Sequence, residues 1–174
     1  MDNIELLFAT AAFLILVYLF HRKSETIGNW SHLFADMQHD PEEFYRLVTE
    51  ILTERQVPDF TTTSRNLKEG NILSHQRIYL EVTRGDYVFH ICAAPWGTGF
   101  FFSWWLRFKH PSIVGRRTTH ALPDDTYYKA DTDNMFRTSV HHSVLEAIDR
   151  LTETKGIKGL TELERKPDMR GMAI

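Results

Sequence analysis

Residues 91–106 read ICAAPWGTGFFFSWWL, sixteen residues without a charge that hold the only cysteine of the chain and three of its four tryptophans. Three readings compete for this stretch: a membrane span, a reactive site around Cys92, and the middle of a buried sheet. A helix needs about 20 apolar residues to cross a bilayer, and Pro95, Gly97 and Gly99 would break a lipid-exposed helix at its centre. The stretch divides instead into two strands, Tyr87–Ala94 and Phe100–Lys109, joined by Pro95–Gly99. Side chains alternate across a strand, so Phe100, Phe102, Trp104, Leu106 and Phe108 share one face. Phe101, Ser103, Trp105, Arg107 and Lys109 share the other. The first row is the expected core face, which leaves open what covers Phe101 and Trp105.

The same strand-like period extends upstream to Asp59, with turn signals at Lys68–Asn71, Arg84–Asp86 and Pro95–Gly99. Four strands in a meander follow, with Ile78, Leu80 and Val82 on one face of their strand and Tyr79, Glu81 and Thr83 on the other. A fifth short strand is expected around Thr126–Lys129. Before the sheet, Asp40 is a helix cap, Pro41 suits the first helical position and Glu43 completes a capping box. Phe44, Leu47, Val48, Ile51 and Leu52 then form one apolar face, which predicts a helix over 41–56 ended by Pro58. After the sheet, a helix capped by Asp133 carries Phe136, Val140, Val144, Ile148 and Leu151 on one face, with Gly156 as its stop. The fold class is therefore α+β: an antiparallel meander of four to five strands packed by helices before and after it.

The chain opens differently. Ile4–Phe20 is apolar except for Glu5 and Thr10 and is followed at once by His21, Arg22 and Lys23. As a helix its seventeen residues span about 25 Å, the short end of what crosses a bilayer. Asp2 and Glu5 come at its start and no small-residue cleavage site follows, which argues against a removed signal peptide. Positive charge only on its C-terminal side directs residues 21–174 to the cytoplasm and the N-terminus outside. The expected organisation is a single transmembrane anchor with its basic flank (1–23), a juxtamembrane amphipathic helix (24–39), the α+β domain (40–158) and a short helical turn with a loose tail (159–174). The amphipathic helix is read from Trp30, Leu33, Phe34 and Met37 at i, i+3, i+4 and i+7.

Composition bounds the functions. With 43% apolar and 25% charged residues a packed core is expected, and one cysteine excludes an intrachain disulfide framework. The net charge is −3, and setting aside Asp2 and Glu5 leaves 21 acids against 20 bases. Such a domain has no field to recruit nucleic acid.

Candidate chemistry is thin. His90 lies two residues from Cys92, so the two share a strand face, and an imidazole beside a thiol can favour the thiolate. Burial of both is the competing reading. His142 and Glu146 sit one helical turn apart and could begin a metal site if His120 and the aspartates 124, 125, 131 and 133 came close, but zinc takes three or four protein ligands and no HExxH or paired CxxC is present. Asp131–Asn134 resembles the start of a calcium loop but lacks its glycine and closing glutamate. Arg116 and Arg117 could meet an anion or a lipid headgroup. The expectation is a single-pass, membrane-held, non-catalytic interaction, assembly or sensing module without a cofactor. Its partners would be the membrane and a protein or second copy, contacted through Phe101, Trp105, Arg116 and Arg117. The alternative is a membrane-tethered hydrolase using Cys92 or a metal at His142 and Glu146.

Overall fold

The computed structural model describes residues 24–68, 76–109 and 123–169. The expected anchor, Arg116, Arg117, His120 and the last residues of the tail lie outside them. The elements are β1 (Ser24–Phe34), α1 (Pro41–Glu54), β2 (Thr61–Lys68), β3 (Gln76–Arg84), β4 (Tyr87–Trp96), β5 (Gly99–Lys109), α2 (Pro123–Thr154) and β6 (Asp168–Met169). The strands form one antiparallel sheet in the order β2-β3-β4-β5-β1-β6. The meander β2 to β5 is as expected, and β1 and β6 raise the sheet to six strands.

Two-residue turns set the register of the meander. Trp96 pairs with Gly99 and Arg84 with Tyr87. Gly97 and Gly85 take φ of +61° and +55° at the first turn position, which suits a glycine-first hairpin turn and costs any other residue strain. The register then points Phe102, Trp104 and Leu106 of β5 and Phe89 and Ile91 of β4 to one face, all buried against the two helices. Phe44 of α1 packs on Phe102, and Phe136 of α2 packs on Phe89.

Helix α1 starts where its signals place it. Asp40 Oδ1 accepts from the Glu42 amide at 3.0 Å and Pro41 opens the first turn. It ends with the Val57 amide on the Leu52 carbonyl and Gln56 at φ +52°, just before Pro58. Tyr45, from its first turns, crosses into the sheet. The β3–β4 pairing stops at Tyr79 and Cys92. Beyond it the Tyr45 hydroxyl donates to the Ile78 carbonyl at 2.6 Å and accepts from the Ala93 amide at 2.9 Å. A side chain thus satisfies two backbone groups that the splayed strands leave open.

Three expectations are corrected. Residues 24–34 form a strand, not an amphipathic helix: Gly28, Trp30 and Phe34 point inward and Leu33 outward, the period of two that an irregular pairing at Thr26–Gly28 obscures. Residues 126–129 lie inside α2, not in a fifth strand, and Asp133 is well within that helix, holding Lys129 at 2.7 Å instead of capping. Nor is the tail loose throughout. The turn expected after Gly156 is present at Thr161–Arg165, but beyond it Asp168 and Met169 pair with Asn29 and Gly28 of β1. The Trp30 indole donates to the Glu164 carbonyl at 2.6 Å, and Arg165 clamps Asp149 of α2 through two nitrogens at 2.7 and 3.0 Å. His141 Nδ1 accepts from the Trp104 indole at 3.1 Å, so Nε2 carries the proton given to the Arg165 carbonyl at 2.9 Å. Burial holds this imidazole down at a pKa of about 4, more than the Arg165 contact raises it.

Candidate functional site

Both helices lie on one side of the sheet, and among the described residues no element packs on the other. The cross-strand register assembles that outer face row by row. Glu81 of β3, His90 of β4, Trp105 of β5 and Asn29 of β1 stand side by side. Tyr79, Cys92, Ser103 and Ser31 form the next row, and Ala94, Phe101 and Leu33 the one beyond. Trp105 and Leu33 remain 47% and 48% exposed and Trp96 63%, while Phe101 is half-buried. Trp96 carries the Arg77 guanidinium over its ring at 5.6 Å.

The polar groups of this face are tied to one another. Glu81 is only 8% exposed and takes Arg65 Nε at 2.8 Å, with His90 Nδ1 at 3.7 Å. That distance is too long for a hydrogen bond, and His90 Nδ1 is buried without a partner. Burial lowers the His90 pKa, Glu81 opposes the shift and Arg107 adds to it. The ring is therefore neutral at pH 7 and withholds the positive charge that a thiolate would need. Cys92 shares the face as its spacing implies, but it is 1% exposed, and burial pushes its thiol up against the opposing hydrogen bond of Tyr79. The pair is brought together in a form suited to packing.

His142 and Glu146 line an open groove of about 750 Å³ between α2 and the C-terminal segment, with Arg55, Arg137, Asp149 and Arg165. Two of its carboxylates are engaged: Glu146 accepts from Arg55 at 2.6 Å and Arg150 at 2.7 Å, and Asp149 holds Arg165. Burial would raise the Glu146 carboxyl, but the hydrogen bonds of the two arginines outweigh it and hold the group low. Among the described residues no three His, Cys, Asp or Glu side chains converge as metal ligands. No helix among the described residues is long and apolar enough to cross a membrane.

No family model, curated protein or solved structure matches this chain. Phe101 and Trp105 lie on the outer face that their alternation assigns them. The Arg65–Glu81–His90 cluster beside them depends on which residues face each other across three strands, and the only sign of it in the sequence is the placement of Glu81 on the less apolar row.

Proposed function

We propose that this chain is a membrane-held, non-catalytic interaction module. Its N-terminal apolar segment anchors it, with the domain on the cytoplasmic side, and the open sheet face around Trp105 meets its partner. The observation that carries this reading is the outer face itself. Trp105, Leu33 and Trp96 stay exposed on a sheet whose other side buries two helices, and large exposed aromatic residues mark contact surfaces. The apolar Ile4–Phe20 segment followed by His21, Arg22 and Lys23 supports the anchor, and it leads straight into β1. The hydrolase alternative has no observation in its favour, since Cys92 is a buried, protonated thiol and Glu146 is held by two arginines.

Fractionation of cells expressing the full chain tests the reading. The protein should stay with membranes through alkaline carbonate, and Trp105→Ser should weaken its cross-linking to whatever covers the face, protein or lipid, without changing its melting temperature. Release by carbonate would remove the anchor. Unchanged cross-linking in the folded variant would remove the face.

A further inference from the structure

We infer that the outer sheet face docks on an anionic lipid bilayer, with Trp105, Phe101 and Leu33 at the headgroup boundary and Arg77 and Lys109 against lipid phosphates; this rests on the membrane-held reading above. Three observations carry it. The first is charge. Although the whole chain is net negative, the outer face bears Arg65, Arg77, Arg107 and Lys109 against Glu81 and Asp168, and Glu81 is neutralised by Arg65. A surface rich in cations attracts anionic lipid, whereas a second copy would bring one cationic face against another.

The second is the kind of apolar residue exposed. Indole rings with guanidinium and ammonium groups beside them suit the zone between headgroups and acyl chains, and Arg77 over Trp96 is such a pair on this face. The third is where the chain comes from. Ser24 opens β1 opposite Lys109, and only three residues separate it from Phe20. They reach about 10 Å when extended, so an inserted anchor keeps the Lys109 end of the sheet at the membrane surface. The Ile4–Phe20 segment is a poorer cover for the face than the bilayer. Only Glu5 and Thr10 interrupt its apolar surface, so packing one side on the sheet would leave the other in water.

The full chain in vesicles of brominated phosphatidylcholine, with and without phosphatidylserine, tests the docking by tryptophan quenching. Trp30 and Trp104 are in the core, so quenching reports Trp96 and Trp105. The expected result is quenching by lipids brominated near the headgroup, stronger with phosphatidylserine and lost in the double variant Trp96→Phe, Trp105→Phe. Arg77→Gln and Lys109→Gln, whose near-ultraviolet dichroism should match the native chain, are expected to lower the docked-to-free ratio roughly five-fold each. Absence of quenching in a chain that resists carbonate overturns the docking and leaves the anchor. Quenching in a chain that carbonate releases keeps the docking and removes the anchor. Cross-linked dimers that Trp105→Ser abolishes, with no quenching, would assign the face to a second copy and also overturn the proposal.

Discussion

Tyr45 sets its hydroxyl where the β3–β4 pairing ends, and the consequence of removing that one oxygen can be stated in advance. Tyr45→Phe keeps the ring in the core but leaves the Ile78 carbonyl and the Ala93 amide without their shared partner. Orphaned buried backbone groups cost about 1–3 kcal/mol, so the urea midpoint should fall at an unchanged slope. An unchanged midpoint would mean that water replaces the hydroxyl. Nothing in the sequence marks Tyr45 for this role. It lies next to Phe44 at the edge of the apolar face of the helix, and its partners are 33 and 48 residues away. The same holds for His141, which sits on the apolar side of α2 because Trp104 and the Arg165 carbonyl occupy both its nitrogens, while its neighbour His142 stays exposed.

At the scale of elements, the joint between β1 and β6 leaves no room for a side chain at Gly28. Gly28 faces Met169 there, and a Cβ on it would come within 2.5 Å of the Met169 sulfur and 3.3 Å of the Asp168 carbonyl. Gly28→Ala should therefore loosen β6 first. Amide exchange at Asp168 and Met169 should quicken while that of β4 and β5 stays slow, and equal protection throughout would show that the methionine simply gives way. Elements with strong local causes were legible beforehand. Asp40 and Pro41 fixed the start of α1, and Gly85 and Gly97 fixed the hairpins of β3 to β5. The others were masked by coincidence or brevity. Trp30, Leu33 and Phe34 of β1, with Met37 just after it, mimic helical spacing although the strand's partners are distant in sequence, Tyr127 and Tyr128 are strand formers exposed at the start of α2, and β6 is too short to carry a period. The candidate surface divides the same way. Alternation within β5 exposed Phe101 and Trp105 to view, whereas the Glu81 cluster needed the register between strands.

For the whole molecule, buried imidazoles make stability a function of pH. Burial lowers the pKa values of His39, His90 and His141, the last from 6.5 to about 4. The unfolded chain then binds more protons than the folded one as pH drops below 6.5, so stability is complete above that value and is lost on acidification. His141 alone contributes about 3 kcal/mol between pH 6.5 and 4. Urea midpoints measured across that window should decline, and His141→Gln should flatten the decline. A flat native profile would refute the buried neutral form. The sheet order carries a different consequence, in time. β1 is made first, yet its partners are β5 and β6, and 64 residues separate Phe34 from Gly99. At about 5–20 residues per second the ribosome needs roughly 3 to 13 s to supply β5. Through that interval Trp30 and Phe34 wait without their strand partner, so the first strand synthesised is among the last to be seated.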